Sequence, residues 1–104
     1  MSTVMVYVTT GSRAEAAKIG RTIVKERLAA CANVVPEIAS FYWWEGTVQE
    51  DSEASLILKT RRELTENVIS RVKELHSYDC PCVVSFPIAG GNIDFLNWII
   101  KETL

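Results

Sequence analysis

An α+β sandwich is predicted by three features of this 104-residue sequence. Two strand–helix units flank a long hairpin, polar capping signals open both helical stretches, and no repeat, linker or low-complexity segment interrupts the chain. The order is β-α-β-β-α-β, followed by a short C-terminal helix. It is that of the ferredoxin-like sandwich: an antiparallel sheet with both long helices on one face. Right-handed crossovers favour the arrangement. The length suits a single domain, residues 1–104, with a modest core.

The first strand is expected at residues 3–9, "TVMVYVT". Val4, Val6 and Val8 share one face, Met5 and Tyr7 the other. After Gly11, Ser12 and Glu15 have the spacing of a capping box, so a helix is predicted from there to about Ala30. Ala16, Gly20, Ile23, Val24, Arg27 and Leu28 fall on its apolar stripe. Residues 31–44, "CANVVPEIASFYWW", form the second extended segment, with a bulge or edge expected at Pro36 because proline has no N–H to give a ladder. Glu45-Gly46 is a tight turn, and "TVQEDSEASLILKT" returns from it, polar first and apolar last. Thr60 and Glu63 have capping-box spacing, which predicts a helix over 61–75 with Leu64, Val68, Val72 and Leu75 inward. "PCVVSFPI" is the fourth strand. Gly90-Gly91 turns the chain, and Asn92 caps a last helix carrying Phe95, Leu96, Trp98, Ile99 and Ile100.

Composition narrows the function classes. Apolar residues make up 48% and the net charge is −2, which suits a globular protein and gives no basic stripe for nucleic acid. The pair Arg61-Arg62 reads as a solvated helix face. No run is long and apolar enough for membrane insertion. The first residues lack the basic start and apolar length of a secretory leader. A cytoplasmic location follows as the expectation, with Cys31, Cys80 and Cys82 reduced.

The sheet is apolar on both faces. The helices cover one, and an open antiparallel sheet would normally show polar residues on the other. Here the first strand, "LIL" in the third and "CVVSF" in the fourth are apolar nearly throughout. The patch exceeds what a soluble monomer exposes, and a C-terminal helix of two to three turns is too short to hide it. Other copies of the chain are therefore expected to cover it.

"ERLAACANV" from Glu26, "YWWEG" from Tyr42, "EASLILK" from Glu53, "LHSY" from Leu75 and "FLNWI" from Phe95 resemble, in order and spacing, the CutA divalent-cation tolerance family. The resemblance covers nearly the whole chain. It implies a ferredoxin-like fold, a tight homotrimer with sheets packed around a threefold axis, and a link to copper and other divalent metals. It attaches no firm catalytic activity. One stretch departs from the family pattern of His-Pro-Tyr, two variable residues, then Pro-Glu. In "HSYDCPCVV", Ser77 stands where proline is common and Cys82 replaces the usual glutamate, so no role of that carboxylate carries over.

Four groups of residues are candidates for function. His76, Cys80 and Cys82 combine imidazole and thiol, the ligands soft metals prefer. In an extended segment the two sulfurs share a side. The plainer alternative makes Cys82 a small buried strand residue and His76 a favourable cation at a helix end. Cys31 stands where the family commonly carries cysteine; it is a candidate metal ligand or core filler. Tyr42, Trp43 and Trp44 read as interface anchors or as the wall of an intersubunit cleft, the two tryptophans on opposite sheet faces. Glu50 and Asp51 read as solvated hairpin residues. Glu53 and Lys59 match the family and are expected to pair with each other or with a neighbouring copy. Lys59, His76, Tyr78 and Trp98 are expected to converge on an intersubunit cleft. Related ferredoxin-like trimers that regulate nitrogen metabolism bind small anionic effectors in such clefts, an analogy of fold.

With one histidine, no nucleophile motif and no phosphate-cradling glycine loop, no enzymatic role is expected. The sequence is read as a trimer that binds copper or other transition-metal ions and contributes to metal resistance. The rival readings are a signalling trimer with a small-molecule effector and a structural scaffold without a ligand.

Overall fold

The computed structural model describes residues 2–104. Eight-residue β1 (Thr3–Thr10) leads into α1 (Arg13–Lys25), β2 (Cys31–Trp44) and β3 (Thr47–Arg61). A 3₁₀ turn (Arg62–Leu64) precedes α2 (Thr65–Leu75), β4 (Val83–Pro87) and α3 (Ile93–Glu102). The sheet order is β2-β3-β1-β4 and every pairing is antiparallel. This is the predicted ferredoxin-like topology.

The core lies between one sheet face and the two longer helices. Val4, Val6 and Val8 of β1 and Ala54, Leu56 and Leu58 of β3 meet Ala16, Ile19 and Ile23 of α1 and Val68 and Val72 of α2. Gly20 is part of this contact. A side-chain carbon there would come within 2.8 Å of a Leu56 methyl and 3.1 Å of Ala32 Cβ. The smallest residue thus sets how closely α1 approaches the sheet. Ile19, absent from the predicted stripe, is fully buried, whereas Arg27 lies outside the helix.

Two helix boundaries differ from the sequence reading. α1 ends at Lys25 instead of near Ala30. Arg27 takes a left-handed φ of 62°. The Arg27 N–H then donates to the Val24 carbonyl and the Leu28 N–H to that of Ile23, the paired bonds of a Schellman stop. The predicted capping box at Thr60 does not form. Thr60 pairs with Val4 in the sheet and its hydroxyl donates to the Leu28 carbonyl at 2.6 Å. β3 therefore runs to Arg61, and α2 begins only at Thr65. The other signals hold. The Ser12 hydroxyl accepts from the Glu15 N–H and Asn92 caps α3. The β2–β3 register shifts between Val35 and Ile38, at Pro36. Glu45 and Gly46 turn with φ of 49° and 81°, as a two-residue type I′ hairpin requires.

α3 lies against β3 and β1. The Arg61 guanidinium fixes it, with Nη2 donating to the Ile100 carbonyl at 2.8 Å and Nε to the Thr103 hydroxyl at 3.1 Å. The rest of the second sheet face stays open. Met5 and Phe86 are partners there, as are Tyr7 and Val84, and Val84 and Phe86 are exposed in the protomer. The predicted uncovered apolar face is present.

Candidate functional site

A cleft of about 860 Å³ opens where the β2–β3 hairpin leaves the body of the molecule. The hairpin contributes Phe41, Tyr42, Trp44 and Glu53. Thr9 lines the cleft from the end of β1, and the segment between α2 and β4 supplies Tyr78, Asp79, Cys80 and Cys82. Register explains the grouping. Glu53, Tyr42 and Trp44 occupy alternate positions on the same sheet face as Ser55 and Ile57, the face opposite the helices.

Hydrogen bonds hold the α2–β4 segment in place. The His76 side chain is fully buried. Its Nε2 lies 2.8 Å from the Thr9 carbonyl, and its Nδ1 accepts from the Tyr78 N–H at 3.1 Å. A carbonyl can only accept and an N–H can only donate, so the ring proton sits on Nε2. Glu15 reaches the same segment from the first turn of α1, accepting from the Ser77 N–H at 2.8 Å and from the Gly11 N–H at 3.2 Å. Burial alone would raise the pKa of Glu15. The hydrogen bonds from Ser77 and Gly11, with His76 nearby, outweigh that and hold it below the ordinary value.

Two phenols each donate to a carboxylate. Tyr78 donates to Glu53 at 2.8 Å. Burial first, then this bond, push its pKa well above the usual range for a phenol. Tyr42 donates to Asp51, and that bond is the main reason its pKa is also raised. Both phenols are therefore neutral hydroxyl donors already in use, and the Tyr78 ring lies against that of His76, centroids 4.8 Å apart.

Several predicted groupings are corrected by this geometry. His76, Cys80 and Cys82 do not form a three-ligand centre, since both ring nitrogens of His76 are occupied. Among the described residues no three His, Cys, Asp or Glu side chains are placed to hold a metal ion together. Cys80 and Cys82 are exposed, so Cys82 is not the buried strand residue of the plainer reading. Cys31 is half-buried at the start of β2, on the opposite sheet edge from β4. Three strand spacings, roughly 14 Å, separate those edges.

Of the two pairings expected for Glu53 and Lys59, the one within a protomer does not form: Lys59 donates to Asn33 at 2.6 Å. Lys59 and Trp98 lie apart from His76 and Tyr78 in one protomer, so their expected convergence is one that a neighbouring copy would complete. Lys59 pairs with Met5 in the sheet, whereas Thr9 lies four positions further along β1. Its ammonium sits 6.0 Å from the Phe95 ring centre, and Phe95 stacks on Trp98. Trp43 and Trp44 are both exposed, and by register they occupy opposite sheet faces.

Sequence reasoning missed Glu15, Ser77 and Asp79 as parts of this site and read Asp51 as merely solvated. The capping-box signal found Glu15, but only for its local role. Its contact with Ser77 spans 62 residues.

A ferredoxin-like sandwich with a projecting hairpin, an apolar sheet face left open and an aromatic, acidic cleft beside it defines the class: a small α+β protein with a cleft next to an uncovered apolar face. The chain matches the family described as CutA1 divalent ion tolerance protein over residues 4–102, and it belongs to that family. It is 46% identical over 100 residues to the divalent-cation tolerance protein CutA of Pyrococcus horikoshii, covering 96% of this chain and 97% of that one. To the chloroplastic protein CutA 1 of Oryza sativa it is 45% identical over 96% of its own length, but spans only 56% of that relative. Among solved structures, CutA1 from Oryza sativa superposes with a TM-score of 0.97 at 43% identity, covering all of this chain and 95% of that one. The divalent cation tolerance protein of Thermus thermophilus gives 0.94 at 42% identity, covering 97% and 98%.

Proposed function

We propose that this chain is a homotrimeric divalent-cation tolerance protein that binds copper through Cys80 and Cys82 and contributes to metal resistance. The observation that carries the metal reading is the pair of exposed thiols lining one cleft. Thiolates select Cu(I) among the biological metals, and two are enough for a linear site. A structural zinc site takes four ligands, more than the described residues offer together. His76 is a positioning residue in this reading, holding the segment that carries the thiols. The trimer reading rests on the open face of Met5, Tyr7, Ile57, Val84 and Phe86, which needs cover in water.

The cytoplasm remains the proposed location and binding, not catalysis, the proposed role. A second reading, an effector held in the cleft, is favoured by its size and aromatic walls. The first test is titration of the reduced protein with Cu(I) against a competing chelator, beside the Cys80→Ser/Cys82→Ser variant. Stoichiometric binding that the variant loses supports the proposal. Binding that survives in the variant transfers it to Cys31, and no competitive binding in either protein overturns it.

A further inference from the structure

His76 is the one histidine of the chain, and its side chain is fully buried. In the neutral ring each nitrogen has a single task. Nε2–H donates to the Thr9 carbonyl at 2.8 Å, and the Nδ1 lone pair accepts from the Tyr78 N–H at 3.1 Å. Both contacts lie inside one protomer, so they stand whether or not other copies cover the sheet.

A third partner stands beside the ring unused. Glu15 Oε2, from the first turn of α1, is 3.8 Å from Nδ1, about 1 Å beyond a charge-assisted hydrogen bond. It already accepts from the Ser77 N–H at 2.8 Å, and a carboxylate oxygen has a lone pair for a second donor. Burial works against its charge, but the hydrogen bonds from Ser77 and Gly11 hold its pKa below the ordinary value. It is therefore still ionised at pH values where imidazoles take up a proton. Among the described residues, no other carboxylate lies within 4 Å of a ring nitrogen. From β1 the ring meets the Thr9 carbonyl, and from its own segment the Tyr78 ring. Beyond that ring, Glu53 of the hairpin accepts from the Tyr78 hydroxyl. At the end of α2 the Val72 carbonyl holds the His76 backbone N–H.

A proton on Nδ1 makes these relationships incompatible. The nitrogen changes from acceptor to donor. It then faces the Tyr78 N–H donor to donor, and the new positive charge is drawn to the Glu15 carboxylate. One tie is exchanged for another.

We propose that His76 is a proton-operated latch. The neutral ring holds the Tyr78 backbone; protonation at Nδ1 passes the ring to Glu15 and releases the segment between α2 and β4. The latch rests on these contacts and not on the copper reading, although the segment it releases is the one that carries Cys80 and Cys82.

The test uses metal-free, reduced full-length protein kept under chelator, so a failed copper titration leaves it unaffected. The protein is titrated from about pH 8 to about pH 5 by heteronuclear NMR, in which the single imidazole reports its own protonation. Backbone amide exchange is measured alongside and corrected for the intrinsic rate at each pH. The Tyr78 amide resonance should move with the same midpoint as the ring. Its protection should fall about fivefold or more on the acid side, while the His76 amide, held by Val72, keeps its own. Glu15→Gln removes the waiting carboxylate, so the midpoint should move to lower pH. A Tyr78 amide that does not follow the ring, equal loss of protection at His76, or a ring that takes no proton before the chain unfolds would each overturn the proposal. So would an unchanged midpoint in Glu15→Gln. If that variant does not fold, the titration of the parent protein decides alone.

Discussion

Glu15 and Ser77, 62 residues apart in sequence, are joined at 2.8 Å by a carboxylate of α1 and a backbone N–H of the α2–β4 segment. Only a residue with an N–H can make this bond. A proline at position 77, the residue the family resemblance implies there, would have none. Ser77 therefore supplies a tie between the first helix and the segment bearing Tyr78, Cys80 and Cys82.

Glu15→Gln should destabilise the protein by about 1–2 kcal/mol at neutral pH, because hydrogen bonds to a carboxylate are worth more than those to an amide. The folded-state pKa of Glu15 is depressed. Its stabilisation is therefore complete above the ordinary value of 4.5 and is lost as pH falls through the lower folded-state value. Urea unfolding of both proteins should show a gap at pH 7 that narrows towards pH 3. A gap that stays constant would remove the charge from the explanation.

Gly20→Ala tests the closeness of α1 to the sheet. Alanine favours a helix by about 1 kcal/mol over glycine, yet here its methyl would lie 2.8 Å from a carbon of the fully buried Leu56. Overpacking of this kind costs about 1–3 kcal/mol. A lowered denaturation midpoint is expected; an unchanged or raised one would mean that Leu56 has room to move.

Glu45→Asn acts in the opposite direction. Glu45 holds a left-handed φ of 49° at the hairpin tip, a conformation asparagine tolerates better. Stability should rise by about 0.5 kcal/mol, within the range of turn optimisations, and a fall in thermal midpoint would contradict it.

Phe86→Asp places a charge on the open sheet face, where Phe86 is 49% exposed in the protomer. The parent protein should scatter light as about three times 11.6 kDa, and the variant should run as a monomer. A monomeric parent at micromolar concentration would defeat the trimer reading outright.

Local patterns carried most of the fold into the sequence. Alternation along β1, the Ser12 and Asn92 caps, Pro36 and Glu45-Gly46 all act within a few residues, and each was legible. The errors arose where distant partners decided. Thr60 has the spacing of a helix cap, but pairing with Val4 and the Leu28 carbonyl drew it into the sheet. α1 stops at an arginine in a left-handed conformation, with no glycine to announce it. At the site, aromatic and thiol residues were recognisable by type. That Lys59 and Trp98 lie apart from Tyr78 in one protomer depends on position along the sheet, which a linear reading does not give.

The hairpin also gives the molecule its shape, 44 Å long against 25 and 22 Å across. From Phe41 to Ser52 every residue except Gln49 is exposed. An arm so thin has almost no interior, and its own protomer can shield little of its length from solvent. In the proposed trimer, how long its amides resist exchange is set by how many copies are near. On dilution below that assembly, residues 41–52 should take up deuterium first while the β1–β3 pairing keeps its protons, and the arm would then serve as a built-in gauge of protein concentration.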